Sequence, residues 1–443
     1  MKVLFISLGC DKNLVDSENM LGLLTKNGYI LTDDQAEAEV IVINTCCFVN
    51  DAKEESINTI LEMSACRREG SCKALIVAGC LAQRYRQEIL DEIEEVDAVL
   101  GTTCFDQLIE TIDKVLEGEK AGVQVDSLDK LPQVEARRIL TTGGHYAHLK
   151  IAEGCDKRCT YCIIPKIRGN YRSIPMEKLL TEAEELAKEG VRELILVAQE
   201  TTVYGVDLYG KKMLPKLLQE LCRIPGLAWI RLQYCYPEEI TEELIQTIGQ
   251  EPKICHYLDM PIQHASDKIL RRMGRRTTRA QIEDMVVRLR REIPDICLRT
   301  TLISGFPGET PEDHEELLEF VDTCEFDRLG VFAYSEEEGT PAAEMADQVP
   351  EEIRQERRDE IMELQQEISF DRAGDMVGRE LVVMIEGQVA GENTYVARTY
   401  RDAPDVDGYL FLNTQETLVS GDFARVRVTG ALEYDLIGEL LEG

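Results

Sequence analysis

The chain has 443 residues, of which 44% are apolar and 30% are charged, and its net charge is −34. This length predicts two or three domains rather than one hydrophobic core, and no apolar run approaches the length of a membrane-spanning helix. So acidic a surface repels nucleic-acid phosphate unless basic residues gather in one place, and it favours a basic partner.

The amino-terminal apolar run, residues 3–8, is too short for the core of a signal peptide, and Asp11 and Lys12 follow it closely. We therefore expect a buried first strand and a cytoplasmic protein that does not contact a membrane. In that compartment the fifteen cysteines do not predict a disulfide framework. Some are expected to be ligands, and the others to be small buried apolar residues.

Residues 1–120 alternate short apolar runs with amphipathic stretches, which predicts an α/β domain with a Rossmann-like parallel sheet and helices on both faces. The expected strands cover residues 3–8, 40–44, 74–78 and 98–100. The expected helices cover residues 14–27, 52–66, 82–93 and 105–116.

A cysteine follows each of the first three expected strands: Cys10, Cys46 and Cys80. The carboxyl ends of parallel strands share one edge of a sheet, where ligands bind, so we expect these three thiols to lie together. They are either three unrelated buried thiols or the ligands of an iron–sulfur cluster with one open iron. The repetition at three successive strand ends favours the cluster.

After a connector over residues 121–145, Cys155, Cys159 and Cys162 stand in C-x₃-C-x₂-C spacing directly behind the apolar run 148–152. Thiolates in so tight a loop suit zinc or an iron–sulfur cluster. A cubane cluster takes four ligands, so three cysteines leave one iron open to a small molecule. The zinc alternative would use His145 or His148 as fourth ligand, but structural zinc loops usually combine two close pairs of ligands, and no second pair lies nearby.

Residues 146–335 repeat the strand–helix alternation six times, which predicts a partial (βα)6 TIM barrel that is open because closure takes eight units. The expected strands cover residues 148–152, 193–198, 229–233, 257–259, 297–303 and 328–333. The expected helices cover residues 176–189, 214–222, 238–249, 265–273, 279–292 and 311–323. The active face lies at the strand carboxyl ends, where the three-cysteine loop, Gln199 and Ser304 are placed.

The last part of the chain changes its period. Residues 351–372 predict one charged helix. From residue 377 the period becomes two, and short strands over 381–385, 394–397, 409–412, 423–428 and 434–440 predict a small antiparallel β-barrel. This barrel has no lysine, and it contains five arginines and twelve acidic residues.

The loop over residues 155–162 resembles that of the radical S-adenosylmethionine (SAM) enzymes. The resemblance implies that its three thiolates hold a 4Fe–4S cluster, that SAM binds the fourth iron, and that electron transfer cleaves SAM to a 5′-deoxyadenosyl radical. By the same resemblance, Tyr161 packs near the cluster and the adenine, and Gln199 and Ser304 help to bind the methionine and ribose of SAM.

All three segments together resemble the methylthiotransferases. The resemblance implies a first domain over 1–120 with an auxiliary 4Fe–4S cluster on Cys10, Cys46 and Cys80, a radical SAM core over 141–372, and a TRAM domain over 375–443. Residues 7–18 and 401–408 are similar to the branch of the family that modifies an aspartate of small-subunit ribosomal protein S-twelve. Asp11 departs from the family, where proline is common after the first cysteine, and should not disturb ligation.

The reaction implied by this resemblance begins with removal of a hydrogen from the β-carbon of the target aspartate, an unactivated position that acid–base catalysis cannot attack. Sulfur comes from the auxiliary cluster and the methyl group from a second SAM. The implied partners are ribosomal protein S-twelve or the ribosome, a reductant such as flavodoxin or ferredoxin, and a sulfur donor. No side chain is assigned to proton transfer.

Two alternatives differ in substrate or class. A methylthiotransferase acting on adenosine of tRNA would need a basic terminal barrel, whereas this one is acidic. A non-catalytic iron–sulfur electron carrier would need neither an open iron at each cluster nor a barrel cavity, and it would not cleave SAM.

Overall fold

The structure is a computed structural model that describes residues 1–119 and 121–441. The chain packs into two compact units, of which the first comprises Met1–Thr141, Ala152–Arg172 and Ser335–Ala343. The second comprises Thr142–Ile151, Ser173–Tyr334 and Glu344–Gly443. The domain limits 1–120, 141–372 and 375–443 remain a prediction, and the limits at 120 and 443 fall outside the described residues.

In the described part of the first unit, six parallel strands form one sheet: β1 (Lys2–Ser7), β2 (Ile30–Leu31), β3 (Val40–Thr45), β4 (Ala74–Gly79), β5 (Ala98–Leu100) and β6 (Gly122–Gln124). They lie in the order β2-β1-β3-β4-β5-β6. Strands β3 and β4 are buried along their whole length, which explains why both begin as continuous apolar runs. The predicted Rossmann-like sheet is confirmed.

The helices that connect these strands are α1 (Asp11–Lys26), α2 (Asn50–Glu69), α3 (Cys80–Tyr85), α4 (Gln87–Glu92) and α5 (Leu108–Leu116). The single helix expected over 82–93 is wrong, because the chain breaks it at Arg86, whose φ is +47°. A right-handed helix cannot continue through such a backbone. Helix α3 starts at Cys80 itself, so this thiol stands at a helix amino terminus.

The chain then forms β7 (Tyr146–Lys150), the short strands β8 (Ala152–Glu153) and β9 (Arg172–Ser173), and the one-turn helix α6 (Ile164–Ile167). The side chains of Ile163 and Ile167 are buried in the apolar core of the first unit, together with Cys80 and Leu81. The stretch behind the three-cysteine loop is therefore part of the core of the first sheet.

The second unit contains a parallel sheet whose described strands are β7, β10 (Glu193–Val197), β11 (Trp229–Leu232), β12 (Ile254–Asp259), β13 (Cys297–Ser304) and β14 (Arg328–Ala333). They run in the order β14-β13-β12-β11-β10-β7, so each strand lies beside its predecessor. Strands β7 and β14 stay at opposite edges, and the predicted open (βα)6 barrel is confirmed. Its helices are α7 (Met176–Lys188), α8 (Val206–Tyr209), α9 (Leu214–Cys222), α10 (Glu242–Gln250), α11 (Asp267–Arg272), α12 (Arg279–Glu292) and α13 (Pro311–Cys324).

The charged helix α14 (Glu351–Gly374) leads to a closed barrel of β15 (Glu380–Gln388), β16 (Thr394–Thr399), β17 (Leu410–Asn413), β18 (Phe423–Ala431) and β19 (Leu436–Leu440). The predicted small barrel is confirmed, with one difference in strand direction. Strands β17 and β19 pair in parallel, because the other four pairs of the barrel are antiparallel and five strands cannot alternate in direction all the way around. No helix within residues 1–119 and 121–441 is long and apolar enough to cross a membrane.

A buried series of ion pairs joins this barrel to the open sheet of the second unit. Glu193 of β10 lies between Arg231 of β11 and Arg398 of β16, with nitrogen–oxygen distances of 2.7 Å to each. Arg398 also contacts Glu386 at 2.7 Å, and Glu386 contacts His145 at 2.8 Å. Breaking either pair of Glu193 would leave a buried charge without that partner.

Candidate functional site

Three adjacent strands of the first sheet place Cys10, Cys46 and Cys80 at one edge. Strands β1, β3 and β4 are neighbours, and each cysteine follows the carboxyl end of its strand. Cys46 and Cys80 are buried, whereas Cys10 is exposed just before α1. The strand-end pattern seen in the sequence thus brings the three thiols to the edge where parallel sheets bind ligands.

The loop before Cys10 passes very close to Cys46. Gly9 has a φ of +91°, and a Cβ atom built on it would lie 2.6 Å from the Cβ and 2.9 Å from the Sγ of Cys46. Only glycine fits there, because both the backbone angle and the space exclude a side chain. Glycine at position 9 is therefore required for the close approach of this loop to Cys46.

The electrostatics of the three thiols also reflect their proximity. Burial raises the pKa of Cys80, the Arg168 guanidinium opposes this, and Cys47, Cys46 and Cys10 raise it further. Burial likewise raises the pKa of Cys46, and Cys10 adds to the effect. Such thiols ionise only when positive charge compensates them, as a bound metal cluster or a buried arginine does.

The second group of thiols lies in the same unit, on the loop between β8 and α6. Cys155 and Cys159 are buried and Cys162 is half-buried, and the Cys162 N–H donates to the Cys159 carbonyl at 3.1 Å. Burial raises the pKa of Cys162, and the thiols of Cys159 and Cys155 raise it further. Tyr161 is half-buried within this loop.

The donors of both groups are thiols alone, which suits an iron–sulfur cluster. Within the described ranges, no group of three or more His, Cys, Asp or Glu side chains is arranged to hold a single metal ion. A cubane binds each cysteine to a different iron, so its ligand sulfurs need not meet at one point. His145 does not favour the zinc alternative, because its Nε2 pairs with Glu386 and its Nδ1 lies 3.2 Å from the Gly143 carbonyl oxygen.

A buried arginine that the sequence analysis did not single out contacts the first group of thiols. The Nε–H of Arg168 donates to Cys80 Sγ at 3.3 Å, and its two amino groups reach Asp16, Glu153 and Asn13 at 2.7, 3.1 and 3.0 Å. Burial alone would lower the pKa of Arg168, but Cys80 and the two carboxylates raise it well above its usual value. The side chain is therefore a fixed cation.

The sequence carries a signal for this polar network on α1. Asn13 and Asp16 lie one turn apart on α1 and are followed by Ser17, and all three side chains are buried. Polar residues at helical spacing on the inward face, directly after a candidate ligand, indicate a polar site rather than a hydrophobic core.

The segment Ser335–Ala343 braces both groups of thiols within the first unit. The buried Glu337 pairs with Arg84 of α3 at 3.0 Å and with Lys53 of α2 at 3.6 Å. The Ala342 N–H donates to the carbonyl of Thr160, inside the three-cysteine loop, at 2.9 Å. This segment therefore holds the loop and the helix that begins at Cys80.

The two residues expected to contact SAM lie in the second unit at strand carboxyl ends. Gln199 is half-buried two residues after β10. Ser304, the last residue of β13, is fully buried, and its hydroxyl donates to the Arg354 carbonyl of α14 at 3.0 Å. Both positions are as expected, while contact of either residue with SAM remains a prediction.

Comparison with known proteins assigns the class. The model of uncharacterized protein family UPF0004 matches residues 2–101, the radical SAM superfamily matches 149–321 and the TRAM domain matches 377–441. Among solved structures, the radical S-adenosylmethionine methyltransferase TsrM from Kitasatospora setae resembles this fold with a TM-score of 0.55 at 16% identity, over 77% of this chain and 73% of that one. Fold and domain content define a radical SAM enzyme with a TRAM domain.

Close relatives narrow this class. A ribosomal protein uS12 methylthiotransferase RimO from Lachnoclostridium phytofermentans is 63% identical over 438 residues, which are 99% of each chain. One from Acetivibrio thermocellus is 51% identical over 447 residues, covering 99% of this chain and 98% of that one. The chain belongs to the RimO family of methylthiotransferases, and it is a radical SAM transferase that uses SAM and iron–sulfur chemistry.

Proposed function

We propose that this protein attaches a methylthio group to the β-carbon of an aspartate in small-subunit ribosomal protein uS12. The observation that carries the proposal is that one compact unit holds two groups of three thiols, Cys10/Cys46/Cys80 and Cys155/Cys159/Cys162. Each group would hold a 4Fe–4S cluster with one iron free of protein ligands. A methylthiotransferase needs two such positions, one for SAM and one for the sulfur that is transferred.

When bound, the clusters and SAM supply the radical, the sulfur and the methyl group. The chain would hold these groups in place. The cysteines of the 155–162 loop would hold the SAM cluster, with Tyr161 beside the adenine. Gln199 and Ser304, at the carboxyl ends of two strands, would bind the methionine and ribose of SAM.

The ion pairs of the terminal barrel favour a protein substrate over RNA. Arg398 and Arg401 are buried and pair with carboxylates at 2.7 and 2.8 Å. Arg425 and Arg427 both pair with Glu380, at 2.9 and 3.0 Å. These are four of the five arginines of a barrel that has no lysine, so little cationic surface is left for phosphate. A basic ribosomal protein would be attracted by the acidic surface.

The proposed reaction also needs electrons and sulfur from outside the chain. We expect a reductant such as flavodoxin or ferredoxin and a separate sulfur donor. Because the substrate belongs to the ribosome, we expect the reaction to occur in the cytoplasm.

The test is an anaerobic turnover of the cluster-reconstituted protein with SAM, dithionite and sulfide, with uS12 and bulk tRNA offered in parallel. Mass spectrometry follows both macromolecules, and chromatography follows 5′-deoxyadenosine. We expect a methylthio group on one aspartate of uS12. Serine in place of Cys10, Cys46 or Cys80 should abolish this product while 5′-deoxyadenosine still forms.

The matched control is Cys104→Ser. Cys104 is a buried thiol of the same unit that accepts a hydrogen bond from the Asp126 N–H at 3.1 Å and follows none of the ligand-bearing strands. This variant should keep both products. A methylthio group on tRNA adenosine would refute the proposed substrate, and the absence of 5′-deoxyadenosine from the parent protein would favour an electron carrier.

A further inference from the structure

Arg168 connects the two groups of cysteines that the sequence separates by 75 residues, from Cys80 to Cys155. Its side chain reaches back to the first group, where the Nε–H donates to Cys80 Sγ at 3.3 Å. The carbonyl of the next residue, Gly169, accepts the backbone N–H of Cys155 at 3.1 Å. One dipeptide thus contacts a thiol of one group and the backbone of the other.

The backbone around this dipeptide packs directly against the backbone of the three-cysteine loop. Gly154, directly before Cys155, has a φ of +77°, and a Cβ atom built on it would lie 2.1 Å from the carbonyl oxygen of Asn170. The Ile167 carbonyl is held from the other side by the Thr102 hydroxyl at 2.9 Å. Both flanks of Arg168 are therefore anchored, so its guanidinium reaches Cys80 from a fixed origin.

The charges around Arg168 define its chemical effect on Cys80. One cation faces two buried carboxylates, Asp16 at 2.7 Å and Glu153 at 3.1 Å, and it also donates to the sulfur. The reduction potential of an iron–sulfur cluster depends on net charge, on hydrogen bonds to its sulfurs and on solvent exposure. A buried cation that donates to a ligand sulfur stabilises the reduced state, and the two carboxylates act in the opposite direction.

We propose that Arg168 is a positioning residue of the auxiliary cluster: it raises the reduction potential of that cluster through its Cys80 contact and ties the cluster to the loop that carries the SAM cluster. The proposal rests on the proposed function, in that Cys80 must be a cluster ligand. A lysine cannot fully replace Arg168, since only the guanidinium fork reaches a sulfur, a carboxamide and two carboxylates together.

The test isolates the auxiliary cluster by replacing Cys155, Cys159 and Cys162 with alanine in the full chain. Iron and sulfide content are measured first, followed by a redox titration monitored by electron paramagnetic resonance. In this background we compare Arg168→Met, Arg168→Lys and Asp16→Asn. The matched control is Arg138→Met, which removes another buried arginine that pairs with α1, through Glu18 at 2.9 Å.

Arg168→Met should move the midpoint potential to a more negative value, because it removes the cation and leaves both carboxylates. Asp16→Asn should move it in the opposite direction, and Arg168→Lys should lie between Arg168→Met and the parent. The control should keep the potential of the parent. If Arg168→Met folds without retaining a cluster, the comparison of Arg168→Lys with Asp16→Asn still tests the sign.

Two results would overturn the proposal, and they are distinguishable. In the first, the cluster remains but its midpoint potential in the arginine variants equals that of the parent, or Asp16→Asn shifts the potential in the same direction as Arg168→Met. Arg168 then does not act on the cluster through its charge and its Cys80 contact. If the triple-alanine parent binds no iron, Cys80 is not a cluster ligand, and the two-cluster proposal fails together with this one.

Discussion

Replacing Glu193 by glutamine removes the carboxylate that two buried arginines share. The two oxygens of Glu193 lie 2.7 Å from Arg231 Nε and 2.7 Å from Arg398 Nη2, and none of the three side chains is exposed. Glutamine keeps the shape and loses the charge. Both arginines then stay buried where the sheet of the second unit meets its terminal barrel, and Arg231 loses the carboxylate that compensated it.

The free energy that Glu193 contributes to folding follows from its pKa and from the usual cost of breaking a buried ion pair. Burial alone would raise the pKa of Glu193, but Arg398 and Arg231 lower it from 4.5 to about 2. At about 1.4 kcal/mol for each unit of pKa, this shift corresponds to roughly 3 kcal/mol of folding free energy. Removing one partner of a buried ion pair costs about 3–5 kcal/mol in general. We therefore expect Glu193→Gln to lower the free energy of unfolding by about 3–5 kcal/mol at neutral pH.

The sign of the pH dependence follows from the depressed pKa. The folded protein holds Glu193 ionised to about pH 2, whereas the unfolded chain protonates it near pH 4.5. The stabilisation is complete above pH 4.5 and is lost as the pH falls towards 2. Glu193→Gln should lack this part of the acid dependence.

The single tryptophan of the chain reports on this region. Trp229 lies opposite Glu193 in the strand register, and its ring packs edge-on against Phe423 of the barrel with centroids 5.0 Å apart. Urea titration followed by tryptophan fluorescence therefore measures the unfolding of this region. Glu386→Gln is the comparison variant. That carboxylate also pairs with Arg398, and in addition with His145, but it is 17% exposed, so its replacement should cost less, about 1 kcal/mol. If Glu193→Gln costs no more than Glu386→Gln, the shared buried carboxylate does not stabilise this region.

Three further predictions concern single contacts. Gly154→Ala should lose iron from the three-cysteine loop, because its Cβ would clash with a backbone carbonyl. The control is Gly118→Ala, where φ is +83° and no atom lies within 4 Å of the added Cβ. This control should bear only the backbone strain of about 1–3 kcal/mol and keep its iron. Glu337→Gln should destabilise the segment 335–343 by about 3 kcal/mol, since it breaks buried pairs at 3.0 and 3.6 Å, and hydrogen exchange in that segment would measure it. Burial lowers the pKa of His145, but the ion pair with Glu386 outweighs burial and raises the pKa above 6.5. The pair therefore stabilises the folded protein fully below pH 6.5, and this stabilisation is lost as the pH rises through the pKa of the folded state. His145→Gln should therefore flatten the dependence of the melting temperature on pH in that range.

Local pattern was sufficient for most of the secondary structure. The apolar runs before Cys46 and Cys80 are strands because only the centre of a parallel sheet buries both faces of a strand. The change to a period of two after residue 377 marked the terminal barrel for the converse reason, that a small barrel buries one face. The expected helix over 82–93 failed at Arg86, where nothing in the residue type signals a positive φ.

Contacts between distant segments were outside the reach of local pattern. The sequence placed Arg168 behind the three-cysteine loop as an ordinary charged residue, and only the fold brings it to Cys80 and Asp16. Ser304 stood at the expected strand end, but its hydroxyl bond to the Arg354 carbonyl depends on where α14 packs. The arginines of the barrel were countable from the sequence, whereas their pairing with carboxylates was not.

The sequence by itself determined the three architectures, the six candidate cluster cysteines and the family, because strand periodicity, thiol spacing and turn positions are local properties of the chain. Only the tertiary structure decided that residues 152–172 and 335–343 pack with the first sheet, and that buried ion pairs join the terminal barrel to the second sheet. The physical reason is that a buried charge must find a partner wherever the fold provides one, and that partner is often more than a hundred residues away.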